Sequence, residues 1–269
     1  MPTRTMPEKF IEGRVVGRTD YSESLFTLRF EAAIAPFIAG QFLRVGTEVE
    51  RDGMRVPELR PYSLVNPPDD PVLEIVLTVV PSSAGGVVSP ALHRLRLGDP
   101  ILVGPRANGF FILEEVPPAP VLWALATGTG LGPFLSILAT DRAWQQFATI
   151  VLVHAVRHAA ELTYRERIAQ LTERQGERFR YVPIVSRESH PGALRGRIPA
   201  LIASGELEAR AGVELKPTNS HVMLCGNPGM LRDTTAVLES RGLTRHRPRK
   251  PGQITSEAYW SDEASGSAA

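Results

Sequence analysis

The sequence Arg60-Pro61-Tyr62-Ser63 places a guanidinium group and a hydroxyl on either side of an aromatic ring. A guanidinium group binds phosphate oxygens in a bidentate manner, and an aromatic ring can stack on another flat ring. These residue types therefore suit a ligand that has both a phosphate and a planar ring system. Alone, they would equally suit the start of a surface strand with a buried tyrosine.

A second phosphate-binding candidate follows at "GGVVSP", residues 85–90. Ser89 is expected to be the N-cap of a helix, with Pro90 as the first helical residue. The amino terminus of a helix offers unpaired N–H groups and a partial positive charge to an anion. Because Arg60 lies in the same half of the chain, the two features together predict a pyrophosphate ligand.

Two glycine-containing segments follow predicted strands in the second half of the chain. "ATGTGLGP", residues 126–133, lies between a predicted strand and a predicted helix, where glycines allow close approach to a phosphate. "LCGNPGM", residues 224–230, follows the last predicted parallel strand. Cys225 is polarizable and can lie against a ring. The alternatives are a strand-to-helix turn without a ligand and an ordinary buried cysteine.

Several arginines follow the strands of the second half, and no Asp or Glu lies at the end of its second strand, where an NAD enzyme usually has the acid that binds the ribose. They are Arg157, Arg187, Arg195 and Arg197. Cations at these positions favour the 2′-phosphate of NADP, although any one of them could be a solvated surface arginine. The basic run 241–250 is either a solvated segment or a docking surface for an acidic redox protein.

Composition and pattern exclude several classes of protein. The net charge of +1 argues against nucleic-acid binding, and the single Cys225 excludes an intramolecular disulfide and a protein-held iron–sulfur cluster. His154 and His158 are separated by a strand end, so we expect no metal site.

The uncharged span 119–140 is long enough for a bilayer, but its glycines predict a strand, a turn and a helix. No secretory signal is recognisable at the amino terminus, and one cysteine suits a cytoplasmic location.

The elements that must position these residues divide into two groups. Short strands rich in β-branched and aromatic residues, spaced about ten residues apart, predict a sandwich or a barrel, and we expect an antiparallel Greek-key barrel. They are residues 14–19, 24–30, 41–49, 61–66 and 73–80. After a proline-rich linker at 114–121, strands alternate with helices, which predicts a doubly wound parallel sheet. Its strands are 121–127, 149–156, 178–186 and 220–226, and its helices are 133–147, 159–175, 198–205 and 228–242.

Taken in this order and spacing, these motifs resemble the ferredoxin–NADP reductase family of FAD enzymes, and within it the bacterial ferredoxin/flavodoxin–NADP reductases. The resemblance covers nearly the whole chain. It implies an FAD-binding barrel domain at 1–115 and an NADP-binding α/β domain at 116–250. It also implies a segment at 251–260 that folds back onto FAD, followed by a predicted disordered tail at 261–269.

Site residues follow from the resemblance, motif by motif. Arg60 would pair with the FAD pyrophosphate, Tyr62 would lie on the isoalloxazine ring, and Ser63 would lie near the hydride-accepting nitrogen. The full set implied for FAD is Arg60, Pro61, Tyr62, Ser63, Val76, Leu77, Thr78, Val79, Val87, Val88, Ser89, Thr129, Glu257, Ala258, Tyr259 and Trp260. Tyr259 would cover the flavin face opposite Tyr62, and Trp260 would stack near the adenine.

For NADP, the resemblance implies that the arginines hold the adenosine phosphate and that Cys225 faces the nicotinamide. The full set implied for NADP is Val156, Arg157, Ser186, Arg187, Arg195, Arg197, Asn227, Pro228, Gly229 and Asp233. Ser63, Cys225, Glu257 and Tyr259 are the residues expected to take part in catalysis.

The implied activity is hydride transfer between NADPH and FAD, coupled to one-electron exchange with a separate acidic ferredoxin or flavodoxin. The implied protein is a cytoplasmic monomer that binds neither nucleic acid nor membrane. One alternative is a flavoprotein reductase component that supplies an oxygenase or reduces free flavin. A binding module without turnover is disfavoured, because binding alone would not need Tyr62, Ser63 and Cys225 where the two rings meet.

Overall fold

The structure, a computed structural model, describes residues 10–258. These residues form two compact units, divided between Gly109 and Phe110. The domain limits predicted from the sequence, with a boundary between 115 and 116, stay a prediction.

The first unit is a six-stranded antiparallel sheet with one helix. Its strands are β1 (Ile11–Asp20), β2 (Leu25–Glu31), β3 (Phe42–Arg51), β4 (Met54–Ser63), β5 (Leu73–Thr78) and β6 (Pro100–Val103), and its helix is α1 (Val88–Arg94). The strand order is β4-β3-β6-β1-β2-β5. An antiparallel bridge between Leu64 and Ile75 joins the two outer strands. The predicted Greek-key barrel is confirmed, and its interior is filled by buried side chains such as Phe26, Leu43 and Val45.

The hairpin formed by β3 and β4 extends further than the sequence predicted. Its turn is Asp52-Gly53, and both residues have positive φ angles, 52° and 74°. Such a turn matches the twist of the flanking strands and closes a tight hairpin. Strand β4 therefore begins at Met54 rather than at Pro61. The short strand β6 was not predicted.

The predicted N-cap role of Ser89 is wrong. Helix α1 begins at Val88 with Val87 as its N-cap residue, and no side chain caps it. The Ser89 hydroxyl instead accepts a hydrogen bond of 2.9 Å from the backbone N–H of Val80. A serine near a helix start can satisfy a neighbouring loop rather than its own helix, and sequence alone does not decide between the two partners.

The second unit is a parallel sheet with helices. Its strands are β7 (Val121–Thr127), β8 (Thr149–Val156), β9 (Phe179–Val185), β10 (Leu194–Arg195), β11 (Ser220–Gly226) and β12 (Ile254–Ala258). Its helices are α2 (Leu131–Leu138), α3 (Asp141–Gln146), α4 (Arg165–Gln175), α5 (Ile198–Ser204), α6 (Glu206–Ala211) and α7 (Pro228–Ser240). The strand order β10-β9-β8-β7-β11-β12 confirms the doubly wound topology.

The strand order reverses direction between β7 and β11, which are neighbours in the sheet but far apart in sequence. Open α/β sheets bind their ligands at such a switch point, beyond the carboxyl ends of the strands. The apolar span 119–140 contains β7, a glycine turn and α2, as predicted. Among the described residues, no helix is long and apolar enough to cross a membrane.

Some boundaries in the second unit differ from those predicted. The single helix expected over 133–147 is two helices, because the chain leaves the helical conformation at Thr140. The helix expected from residue 159 begins only at Arg165, after a short 3-10 turn. Helix α6 was not predicted. Strand β12, which lies beyond the predicted α/β domain, pairs with β11 and extends the sheet to Ala258.

Candidate functional site

In the first unit, the predicted flavin residues converge on the end of β4. Strand β4 ends at Ser63, and the bridge between Leu64 and Ile75 brings this end beside β5, which carries the predicted Val76–Thr78. The ring of Tyr62 packs against the barrel core. Burial raises the pKa of Tyr62 to about 12, and the nearby Arg60 only partly opposes this effect. The phenol is therefore neutral at ordinary pH.

Arg60 has an acidic neighbour that the sequence analysis did not consider. Its guanidinium group pairs with the carboxylate of Glu58, two residues earlier on the same strand. Arg51 on β3 donates to the same carboxylate at 2.9 Å. The side chain of Arg60 stays about half exposed, at 53%. Because Arg60 keeps this exposure, its guanidinium group can bind an anion beside the end of β4.

The loop after β5 is held against the start of α1, so that the predicted Val79, Val87, Val88 and Ser89 lie near one another. A Cβ added at Gly86 would lie 1.8 Å from the carbonyl oxygen of Val80. Only glycine permits this approach. The hydrogen bond from Val80 to Ser89 holds the other side of the loop. The first unit therefore gathers one set of predicted residues from β4, β5 and the start of α1.

In the second unit, two glycine turns lie at the switch point. We name residues 127–130 the first glycine turn and residues 225–229 the second glycine turn. The Thr127 hydroxyl accepts a hydrogen bond of 3.0 Å from the N–H of Asn227. A Cβ at Gly226 would lie 2.0 Å from Thr127 Oγ1, and one at Gly130 would lie 2.3 Å from the carbonyl oxygen of Cys225. The two turns therefore contact each other so closely that glycine is required on both sides.

His154 contacts the first glycine turn from the neighbouring strand β8. Its Nε2 lies 3.1 Å from the carbonyl oxygen of Gly128. The side chain is fully buried, and this burial lowers its pKa to about 4, although the bond to Gly128 opposes the shift. His154 is therefore neutral at physiological pH, and it donates from Nε2 because a carbonyl oxygen can only accept. His158 lies apart from it, exposed beyond the strand end.

The arginines after β8 and β9 lie side by side. The backbone N–H of Ser186 donates to Val156, and that of Arg187 donates to Arg157, each at 3.0 Å. The two strands thus remain paired past their ends, and both arginine side chains are exposed. Among residues 10–258, neither guanidinium group has an ion-pair partner. This arrangement offers two cations to an anion at the carboxyl edge.

Other predicted NADP residues lie further along the same edge. Arg195 is paired in register with Val185 on β9, and Arg197 is the N-cap residue of α5. Asn227 caps α7 by accepting from the N–H of Met230 at 3.3 Å, with Pro228 as the first helical residue. Asp233 is exposed on α7. The edge is thus lined by arginines on one side of the switch point and by the amino terminus of α7 on the other.

Cys225 and Glu257 occupy paired positions on β11 and β12. The same row continues through Ala126 on β7 to His154 on β8. Residues of one row share a face of the sheet, so these side chains project to the same side. Cys225 is fully buried and Glu257 is half-buried. Tyr259 and Trp260, the predicted flavin-stacking pair, lie outside the described residues.

The basic run divides into paired and unpaired residues. Arg241 pairs with Glu208 at 2.5 Å, and Arg245 pairs with Glu239 at 3.0 Å. The other three cations, Arg247, Arg249 and Lys250, are exposed and lie on a turn closed by backbone hydrogen bonds between its first and last residues. Among the described residues of the run, the exposed cations without an ion pair are therefore Arg247, Arg249 and Lys250.

Sequence reasoning missed three residues that organise these sites. Thr127 belongs to the motif at residues 126–133, in which only the glycines predict a role. His154 had been considered only as a metal ligand. A single polar residue within an otherwise apolar strand was the available signal for it. Glu58 lies two residues before Arg60 on β4, but the sequence predicts that this strand begins only at Pro61, so their ion pair is not foreseen.

Comparisons with known proteins give one consistent result. The family model for the oxidoreductase NAD-binding domain matches residues 124–236. The flavodoxin/ferredoxin–NADP reductase of Escherichia coli is 47% identical over 252 residues, which cover 93% of this chain and 99% of that protein. The ferredoxin–NADP reductase of Pseudomonas aeruginosa is 33% identical and covers 86% and 89% of the two chains. A crystal structure of a ferredoxin NADP+ reductase from Neisseria gonorrhoeae with bound FAD and NADP aligns with a TM-score of 0.85 and 34% identity, covering 94% of this chain and 99% of that one.

Proposed function

Since this chain belongs to the flavodoxin/ferredoxin–NADP reductase family, we propose that it transfers a hydride between NADPH and a bound FAD and exchanges single electrons with a ferredoxin or flavodoxin. The observation that carries the proposal is the contact of the two glycine turns at the switch point. It leaves backbone N–H groups and exposed arginines together at the edge where such sheets bind nucleotides.

The first unit has the groups that FAD requires. Arg60 supplies a partly exposed cation for the pyrophosphate, and Tyr62 supplies a neutral ring for the isoalloxazine. The close packing at Gly86 keeps the backbone of Val87 and Val88 beside the end of β5. When bound, FAD supplies the chemistry that couples a two-electron hydride to single electrons. The first unit itself binds and orients the flavin.

The second unit has the groups that select NADPH over NADH. Arg157 and Arg187 present two cations side by side that have no ion-pair partner within residues 10–258, and the backbone N–H of Ser186 bonds to Val156 next to them. Arg195 and Arg197 add positive charge along the same edge. The 2′-phosphate distinguishes NADPH from NADH and is the group that these cations would bind. We propose that Arg157, Ser186 and Arg187 hold it, with Arg195 and Arg197 beside them.

Three described residues have side chains that suit the reacting rings of the two cofactors. The Ser63 hydroxyl can hydrogen-bond the hydride-accepting region, and Cys225 offers a soft surface to the nicotinamide. Glu257 adds a carboxylate in the row of Cys225. Hydride transfer needs close ring stacking rather than an acid–base pair, so these groups position the rings.

The exposed cations of residues 247–250 suit an acidic electron carrier. Arg241 and Arg245 are already paired within the unit, so the docking charge resides on Arg247, Arg249 and Lys250. Charge complementarity of this kind speeds association and weakens as salt increases. We propose that the chain acts as a cytoplasmic monomer. Its one cysteine cannot hold an iron–sulfur cluster, so we also propose that the single electrons pass to a separate carrier protein.

Stopped-flow spectroscopy tests this proposal. The FAD-loaded protein is reduced with NADPH and then mixed with an acidic ferredoxin, an acidic flavodoxin or free flavin. Fast reoxidation by either protein, slowed by added salt and by R249E, supports the proposal. Reoxidation by free flavin alone would favour a flavin-reducing component, and the absence of any reduction by NADPH would refute the proposed activity.

A further inference from the structure

We propose that His154 is a positioning residue for the pyridine nucleotide, acting through the peptide group between Gly128 and Thr129. The inference rests on the proposed function, because it assigns the ligand of the first glycine turn as NADP(H), whereas the resemblance implied FAD as the ligand of Thr129. His154 itself lies in the sheet and need not touch the ligand.

The first step concerns the proton on the imidazole ring. Nε2 of His154 lies 3.1 Å from the Gly128 carbonyl oxygen, which can only accept. The proton of the neutral ring is therefore on Nε2. Nδ1 is then an acceptor, and it has no hydrogen-bond partner among residues 10–258. The only polar contact that the described structure gives this ring is thus the one to the glycine turn.

The second step concerns the direction of the peptide group. The described chain has no cis peptide bonds, and in a trans peptide the C=O and the following N–H point in opposite directions. His154 directs the Gly128 carbonyl towards itself, so the Thr129 N–H points away from His154. The N–H of Leu131 also donates to Gly128 O, which fixes the carbonyl from a second direction.

The third step concerns the freedom of the turn. Gly128 has a φ angle of 53°, and glycine can readily leave this conformation for others. The second glycine turn blocks movement on one side, through the contacts of Gly226 with Thr127 and of Gly130 with Cys225. His154 restrains the remaining side. Removing its donor would leave the Gly128 carbonyl held by Leu131 alone, so the Gly128–Thr129 peptide would be less restrained and its N–H less well directed for a phosphate.

Neutrality of the ring keeps this restraint in place. Burial lowers the pKa of His154 to about 4, so the ring remains the same single donor at physiological pH. A protonated ring would place a buried charge next to the turn, so the neutral ring with its single N–H donor is the form that holds the Gly128 carbonyl.

Two substitutions at one position separate positioning from structural support. H154M fills a similar volume without a donor, whereas H154Q can place an amide N–H near the former Nε2. His221 provides the matched control, because it is also buried on the same face of the sheet, at the amino end of β11, where Nε2 contacts Thr255 Oγ1 at 2.9 Å. H221M should therefore carry a similar loss of stability without touching the glycine turn.

The measurements are the Kd of the FAD-loaded protein for NADP+ by calorimetry, the KM for NADPH, and the Tm. We expect H154M to weaken NADP+ binding and raise the KM by roughly tenfold, the effect of losing one positioned hydrogen bond. H154Q should recover most of this loss, and H221M should lower the Tm while leaving the Kd unchanged.

Two results would overturn the inference. One is an unchanged Kd in H154M, with only the Tm lowered. The other is a Kd in H154Q as weak as that in H154M while both variants remain folded. A wild-type protein that binds no NADP+ would instead refute the proposed function, so the two failures can be told apart.

Discussion

The Thr127 hydroxyl and the Asn227 N–H form a 3.0 Å hydrogen bond between residues 100 positions apart in the chain. Asn227 is also the N-cap of α7, so the same residue begins a helix and contacts the first glycine turn. This relationship makes the two turns one structural unit at the switch point of the sheet. Changes on either turn should therefore affect nucleotide binding through both.

Replacing Thr127 by valine keeps the shape of the side chain and removes its acceptor. The Asn227 N–H then loses its partner, and because the bond lies at an exposed position where water can replace the hydroxyl, we expect a cost of about 0.5–1.5 kcal/mol. The KM for NADPH should rise together with the loss of stability, as measured by chemical denaturation and steady-state kinetics. T127S, which retains the hydroxyl, is the control. Wild-type values for T127V would show that the bond is dispensable.

Replacing Gly226 by alanine should disrupt both turns. The added Cβ would lie 2.0 Å from Thr127 Oγ1, and the φ angle of 140° is unfavourable for alanine. We expect a loss of about 3 kcal/mol or more in the free energy of unfolding. Gly212 also has a positive φ but open space around it, so G212A should cost only about 1–2 kcal/mol. Equal losses in the two variants would contradict the role of the contact.

The parallel strands were the most predictable elements, for a physical reason. Strands β7, β8 and β11 are buried on both faces, so their sequences are continuous apolar runs whose ends are marked by glycine or polar residues. The short strands β6 and β10 carry too few residues for any pattern. Their existence depends on neighbours that the local sequence does not specify.

The candidate site was predictable where a motif combines several residue types and unpredictable where one partner comes from elsewhere. Arg60, Tyr62 and Ser63 form such a motif, and so do the glycines of both turns. Glu58, Thr127 and His154 acquire their importance from partners elsewhere in the chain, which are Arg51 on β3, Asn227 at the start of α7 and Gly128 in the first glycine turn. The hydroxyl of Ser89 shows the same limit, because its partner Val80 lies across a loop.

Replacing Arg60 by glutamine should weaken FAD binding. Loss of a charge-assisted bond to a phosphate is expected to raise the Kd for FAD by about ten- to a hundredfold. Flavin fluorescence on dilution measures the released cofactor. Arg55 on the same strand is exposed and its distance to Glu48 is 3.9 Å, so R55Q is a suitable control. Equal FAD retention in R60Q and R55Q would argue against a pyrophosphate role for Arg60.

Replacing Arg187 by glutamate should change coenzyme preference. A carboxylate beside Arg157 would repel the 2′-phosphate, so we expect the KM for NADPH to rise more than tenfold while that for NADH changes little. Arg174 lies in the last turn of α4, on a helix whose end is remote from the carboxyl edge, and R174E is the control. A similar rise for both coenzymes in R187E would contradict the assignment.

Two buried histidines should make the second unit sensitive to acid. Burial lowers the pKa of His154 to about 4 and that of His221 to about 3, from an ordinary value of 6.5. Below pH 6.5 the two histidines bind protons in the unfolded chain but not in the folded chain. Their contribution to the free energy of unfolding is therefore fully present above this pH and is lost as the pH falls towards 4. Calorimetry should show the Tm falling over this window.

The variant H221M isolates this effect from that of the carboxylates. Without the second imidazole, the Tm should depend less steeply on pH between 6.5 and 4 than it does in the wild-type protein. Parallel pH curves for the two proteins would mean that His221 does not contribute to the acid sensitivity.

The pairing of β7 with β11 also has a consequence for biosynthesis. Strand β7 has its partner β8 soon after it is made, whereas Thr127 must wait for about 100 further residues before Asn227 leaves the ribosome. A nascent chain that ends before β11 has one open edge on its central strand and no second glycine turn. We therefore expect NADP(H) to protect the growing chain only after β11 and the second glycine turn have been made.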